Sequence, residues 1–250
     1  MNTTGIVFGL HAVRHALQQS PESVLEIWVQ EGKQDARAFR QVLDMAGTIT
    51  IHVVNKQTLD KLADYGRHQG IVIRRRRNEP SRQQDLFDML PGIVSEQGII
   101  LALDGVQDPH NLGACLRTAD AAGIRVLLLP KDKSASVNAT VSKVAAGAAE
   151  NVTVFEVTNL ARTLRQLQDA GLWVIGTSDA ASASLYGADL KRPLVLVMGA
   201  EGKGLRHNTR KQCDLLVRIP MHGIVESLNI SVACGICLYE ALRQRDQVIS

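Results

Sequence analysis

Six apolar runs punctuate the later part of the chain: GIILALD (98–104), RVLLLP (125–130), VTVFEV (152–157), LWVIGT (172–177), PLVLVM (193–198) and LLVRIP (215–220). Most are continuous rather than alternating, and helical segments separate them. Strands buried on both faces read this way, so the pattern predicts an α/β unit with a mainly parallel sheet. A last helix is predicted from about Asn229 to Arg243. Before this unit the pattern is finer grained. Leu10, Val13, Ala16 and Leu17 recur at helical spacing, LEIWVQ (25–30) reads as a strand, and Ala36 to Ala46 as a second helix. ITIHVV (49–54) is another strand, with Asn55 placed to cap the helix after it, and QGIVIR (69–74) closes the module.

Between the two patterns stands RRRRNEPSR (74–82), polar, with one proline and no apolar residue. That is a linker composition. The expected organisation is a small α/β module over 1–76, a linker and lead-in over 77–95, and a second domain over 96–250. The run is also a candidate RNA contact through Arg74, Arg75, Arg76 and Arg77, because guanidinium forks suit phosphates and stack on bases.

Composition narrows the field only a little. With 45% hydrophobic and 21% charged residues in 250, a core of ordinary size can form. The 4% of aromatic residues argue against binding single strands on a sheet of exposed rings. A net charge of +3 is too small to identify a partner. MNTTGIVFGL lacks a basic start and a long apolar stretch, and no window approaches the roughly 18 apolar residues of a membrane span, so a cytoplasmic protein is expected. Cys115, Cys213, Cys234 and Cys237 are scattered. The Cys234–Cys237 pair has CxxC spacing but sits in an apolar helix, which points to packing rather than to metal or redox chemistry. His11 and His15 are one turn apart without an apparent third ligand, and are expected on an exposed face. No metal is expected.

Three loops after strands carry unusual residues. In DGVQDPHNLGACLR (104–117), Pro109 stiffens the loop, Asn111 is a candidate helix cap, Gly113 allows close packing, and Arg117 lies further along the helix. GAEGKG (199–204) lets backbone approach a ligand, yet it is neither a Walker loop nor a dinucleotide fingerprint. Glu201 in it disfavours a mainly anionic ligand. In IPMHGIVESLNISVA (219–233), Ser227 or Asn229 can cap the last helix, and IPMHG suits a flat ligand.

Together these loops resemble the three signature motifs of the SpoU branch of the SPOUT RNA methyltransferases. The matching residues are Asp104-x-Val-x-Asp-Pro-x-Asn-x-Gly-x-x-x-Arg117-Thr-Ala, Val-Met-Gly-Ala-Glu-Gly-x-Gly204, and Ile-Pro-Met-x-Gly-x-x-x-Ser-Leu-Asn-Ile-Ser231. The opening Gly-Leu-His-Ala-Val and His68-Gln-Gly-Ile71 look like the N-terminal module of bacterial 23S rRNA (guanosine-2′-O)-methyltransferases. The resemblance implies a ribosomal-protein-L30-like RNA-binding domain, then an α/β domain whose C-terminal part threads a trefoil knot, in a homodimer with its active site near the subunit interface. It implies that S-adenosylmethionine lies against Gly199, Ile219 and Leu228, and that Asn111, Arg117, Glu201, Ser227 and Asn229 form the catalytic set. Asn111 would orient Arg117 or the ribose. Arginine is always protonated, so Arg117 is expected to hold a phosphate and stabilise a developing 2′-alkoxide rather than to accept a proton. The implied reaction is methylation of a guanosine 2′-hydroxyl in 23S rRNA. A tRNA ribose methyltransferase and a non-catalytic RNA-binding protein of the same fold are the alternatives.

Overall fold

The computed structural model describes residues 4–76, 83–200, 202 and 204–246. The chain divides into two units, Met1–Glu79 and Pro80–Ser250. The first contains β1 (Thr4–Phe8), α1 (Leu10–Gln19), β2 (Val24–Gln30), α2 (Arg37–Leu43), β3 (Thr50–Val54), α3 (Lys56–Leu62) and β4 (Ile71–Arg76). Its sheet has the order β1-β4-β2-β3, parallel between β2 and β3 and antiparallel elsewhere. The period of two along a strand sorts the side chains. Ile27, Val29, Ile71 and Ile73 pack with Val13 and Leu17 of α1 and Phe39 and Val42 of α2, while Trp28 and Val72 pack with Leu59 and Ala63 at α3. Asn55 caps α3, its Oδ1 accepting from Thr58 N at 2.9 Å.

The two short motifs of this unit meet. Gln69 Oε1 accepts from Leu10 N at 3.0 Å, at the start of α1. His68 is buried; its Nδ1 accepts from Gly70 N at 3.0 Å, which leaves Nε2 to donate to Asp60 Oδ1 at 2.9 Å.

The second unit runs α4 (Gln83–Ser95), β5 (Ile99–Asp104), α5 (Pro109–Ala121), β6 (Val126–Pro130), α6 (Ala139–Ala145), α7 (Ala148–Asn151), β7 (Thr153–Val157), α8 (Leu160–Asp169), β8 (Trp173–Thr177), β9 (Ala183–Ser184), β10 (Leu194–Gly199), α9 (His207–Lys211), β11 (Leu215–Arg218) and α10 (Ile230–Asp246). Every pairing in its seven-stranded sheet is parallel, in the order β7-β6-β5-β10-β8-β11-β9. Both faces are covered, which is why the strands read as continuous apolar runs. Ile100, Ala102, Val126, Val195 and Val197 pack under α4 and α8. Leu101, Leu103, Leu127, Leu196 and Met198 pack under α5 and α10. The lead-in before β5 is itself a structural element, since Leu86 and Leu90 of α4 are buried in the first of these layers.

The far end of α10 is anchored. Gln244 Nε2 donates to the Ala188 carbonyl at 3.1 Å and its Oε1 accepts from Leu190 N at 3.0 Å. Arg245 donates to the carbonyls of Leu190, Arg192 and Gln97. Among the described residues no helix is long and apolar enough to cross a membrane.

Candidate functional site

The strand order of the second unit reverses between β5 and β10, with β6 and β7 on one side and β8, β11 and β9 on the other. Open parallel sheets leave a crevice at such a point, outside the carboxyl ends of the strands. Gly199, the last residue of β10, stands opposite Asp104, the last of β5. All three loops singled out in the sequence leave this edge.

In the first loop α5 begins at Pro109, whose fixed φ and missing N–H suit the opening position of a helix. Asp108 Oδ1 caps it by accepting from His110 N at 2.9 Å. The cap expected at Asn111 is therefore Asp108, and Asn111 lies within the first turn. Gly113 is needed where α5 meets α6: a Cβ there would stand 2.7 Å from Val144 Cβ and 2.9 Å from the Val141 carbonyl oxygen. Arg117 is exposed and makes no hydrogen bond or ion pair among the described residues. Six positions at 3.6 residues per turn put it about 120° around α5 from Asn111. The helix alone does not bring the two together.

In the second loop Glu201 falls outside the described residues. Around it the chain doubles back, Ala200 and Gly204 exchanging backbone hydrogen bonds of 3.2 and 2.9 Å. Gly202 and Gly204 have φ of 72° and 62°, conformations that side chains disfavour. At Gly199 a Cβ would lie 2.4 Å from the Gly204 carbonyl carbon, so any larger residue would push the loop open.

The third loop, residues 219–229, is irregular. Ile219 and Leu228 are half-buried and Ser227 is exposed. Of the two candidate caps Asn229 takes the role: its Oδ1 accepts from Ser231 N at 2.9 Å and from Ser231 Oγ at 2.6 Å. Its Nδ2 donates to Asn111 Oδ1 at 2.9 Å. The strand β11 lies beyond β8, two places from β10, and the loop that follows it brings Asn229 to Asn111 on α5.

Three further residues matter here. Ser231 and Asp104 stand in the motifs without a role that spacing reveals. Asp104 and Arg206 bond to each other across 102 positions of chain, and no spacing rule signals such a pair.

The arginine run is divided by the sheet. β4 continues to Arg76, two residues past the expected end, because β1 pairs with it as far as Thr4 opposite Arg76. The side chains then alternate. Arg75 is buried, and desolvation lowers its pKa against an opposing pull from Glu22. Arg74 pairs with Glu26 Oε2 at 2.9 Å and lies 5.0 Å from the Trp28 ring centroid. Arg76 is exposed, and Arg77 falls outside the described residues.

Cys115, Cys234 and Cys237 are buried in the core between α5 and α10. Burial pushes the Cys237 thiol up to about 12. For Cys213 burial is again the main cause, with the carboxylates of Asp214 and Asp104 adding to it, and its thiol too is pushed up to about 12. His11 is exposed and His15 half-buried, and among the described residues no group of three or more His, Cys, Asp or Glu is placed to hold a metal ion.

Comparison with known proteins agrees with this geometry. Residues 98–239 match the SpoU rRNA Methylase family, and residues 6–81 match the family described as RNA 2′-O ribose methyltransferase substrate binding. The chain is 50% identical, over 98% of its length and 99% of the relative's, to the 23S rRNA (guanosine-2′-O-)-methyltransferase RlmB of Shewanella oneidensis. Its fold is similar to that of the SpoU methyltransferase AviRb from Streptomyces viridochromogenes, with a TM-score of 0.82 at 22% identity, covering 98% of this chain and 91% of that one. It is also similar to an AdoMet-bound rRNA methyltransferase from Sinorhizobium meliloti, with a TM-score of 0.77 at 27% identity, covering 96% and 87%.

Proposed function

The chain belongs to the SpoU rRNA methylase family, and we propose on that premise that it methylates a guanosine 2′-hydroxyl of 23S rRNA, in the cytoplasm, with S-adenosylmethionine as donor. The observation that carries the reading is the convergence of all three motif loops on the β5–β10 crevice, joined across it by the bond from Asn229 to Asn111.

The residues at the crevice suit this cofactor. Gly199 admits close backbone approach, Gly202 and Gly204 are exposed, and Ile219 and Leu228 offer apolar surface for a flat ring. When bound, S-adenosylmethionine supplies an already activated methyl group, so alignment with the 2′-oxygen accounts for much of what the protein adds. Asn111 and Asn229 hold one another's amides in fixed orientation. Arg117, exposed on α5, would meet an incoming phosphate or a developing alkoxide. Glu201 and Ser227 complete the set as pocket-shaping residues. The first unit supplies RNA affinity, to which Arg76 contributes as an exposed cation at the end of a strand.

A homodimer is supported by apolar side chains left in solvent on the third loop and on α10: Ile224, Val225, Val232 and Tyr239. A trefoil knot in the C-terminal part is supported by the return of the chain from β11 to Asn111 on α5 and by the anchoring of the far end of α10.

The test is to incubate the purified protein with labelled S-adenosylmethionine and total RNA, then digest. Label in 2′-O-methylguanosine from 23S rRNA is expected. Label on a base, or in tRNA alone, overturns the assignment.

A further inference from the structure

Asp104 ends β5 with a side chain that is 0% exposed. A carboxylate out of water is costly unless its charge and lone pairs are met. Arg206 meets the charge and one of the two oxygens, and Oδ1 has no hydrogen-bond partner among the described residues. The backbone N of Arg206 donates to Asp104 Oδ2 at 2.8 Å, and Arg206 Nε faces Asp104 Oδ1 at 3.4 Å. The same guanidinium donates through Nη2 to the Asp132 carbonyl at 3.0 Å. Asp132 follows β6, Asp104 closes β5, and Arg206 follows the glycine loop that leaves β10. One arginine thus ties together the chain leaving three neighbouring strands. Gly105 makes room for it: a Cβ there would lie 3.2 Å from Nη2.

The glycine loop is therefore held at both ends. At one, β10 and the absence of a Cβ at Gly199 fix its start. At the other, Arg206 is pinned to Asp104. Between them lie Gly202 and Gly204 with positive φ, residues that sample many conformations when nothing constrains them. A ligand that must order such a loop binds more weakly than one that finds it ordered.

We propose that Asp104 and Arg206 are positioning residues for the cofactor: their clasp sets the backbone at Gly199, Gly202 and Gly204 in the shape that receives S-adenosylmethionine. The proposal rests on the methyltransferase reading. The clasp acts through the loop, without contact between either side chain and the reacting atoms.

The test uses the full chain, calorimetric titration with S-adenosylmethionine, thermal melting, and methyl transfer to rRNA at saturating cofactor. Arg206→Gln removes charge and fork but keeps the backbone N–H on Asp104. Arg206→Lys keeps the charge, yet its single ammonium cannot serve Asp104 and the Asp132 carbonyl as the planar fork does. The expected result is a cofactor Kd raised about tenfold or more in Arg206→Gln, the loss of one charge-assisted contact, and by less in Arg206→Lys. Turnover at saturating cofactor should stay within about threefold of the unaltered chain, since the reacting groups are untouched. A folded Arg206→Gln with unchanged Kd overturns the clasp, as does a fall in turnover at unchanged Kd. If Arg206→Gln melts below assay temperature, Arg206→Lys decides: a raised Kd supports the clasp and an unchanged one overturns it. Failure of the unaltered chain to bind S-adenosylmethionine overturns the methyltransferase reading itself, whereas equal binding by all three proteins overturns the clasp alone.

Discussion

Asn229 donates from Nδ2 to Asn111 Oδ1 at 2.9 Å, joining two loops that are 118 positions apart in the chain. The same Asn229 accepts from Ser231 through Oδ1, so both ends of its amide are committed and its orientation is set by the network. Asn111→Ala and Asn229→Ala should each lower single-turnover methyl transfer by about tenfold or more. Because the pair acts as a unit, the double variant should be little worse than the poorer single one, a coupling of about 1–2 kcal/mol. Additive losses in the cycle would show that the two asparagines work independently.

Arg117→Ala should leave cofactor affinity nearly intact while turnover falls by about two orders of magnitude, the loss typical of one charge-stabilising donor. Poor rescue by Arg117→Lys would indicate that the planar fork matters; good rescue would indicate charge alone. Calorimetry and single-turnover kinetics on the same preparations decide it. Near-normal rates in Arg117→Ala would reduce Arg117 to a residue of the helix surface.

The alternation along β4 separates effects that the arginine run alone would merge. Arg76→Gln should reduce the slope of log affinity for rRNA against log salt by about one, the signature of a single phosphate contact. Arg75→Gln should instead lower the melting temperature of the first unit with little change in slope, since Arg75 is buried. Filter binding across a salt series, with melting curves beside it, distinguishes the two. An unchanged slope in Arg76→Gln would show that this cation meets only solvent.

The Cys213 and Cys237 thiols give the fold a pH limit. The pKa values of Cys213 and Cys237 rise from 9.0 to about 12, so the unfolded chain ionises first as pH climbs. Their stabilising contribution is complete below pH 9 and is lost between 9 and about 12. Stability should therefore decline progressively above pH 9, and neither thiol should react with iodoacetamide in the folded protein at pH 8. Mass spectrometry reads the outcome; rapid modification of Cys237 at pH 8 would contradict its burial.

The strands of the second unit were legible because burial on both faces leaves a mark in every residue of a run, as in GIILALD and PLVLVM. The strand β9 left none: Ala183 and Ser184 are two small residues, too short a run to show a pattern. Pro91 and a polar start hid α4, although Leu86 and Leu90 have helical spacing. At the site, chemistry concentrated in loops was visible, and so was the tie between Gly113 and close packing. The cap was misplaced by three residues because Asp108 and Asn111 are both good cap formers, and only the position of Pro109 decides between them. Within the arginine run, a period of two would have singled out Arg75 from Arg74 and Arg76, had the strand been carried past residue 74. Arg206 could not have been found, since its partner is set by the meeting of β5 with β10.

That meeting also dictates when the protein becomes competent during its own synthesis. β10 lies between β5 and β8, yet it is made after both. A nascent chain that has emerged through residue 177 holds four of the seven strands, with the slot beside β5 still to be filled. Closing so long a loop costs entropy before the new strand's burial can offset it, which makes late insertion the natural bottleneck in assembly. The glycine loop comes into being only with that insertion, and Asn229 arrives later still. The crevice is thus among the last features of the molecule to exist, and a partly made chain cannot capture the methyl donor before the sheet that presents it is closed.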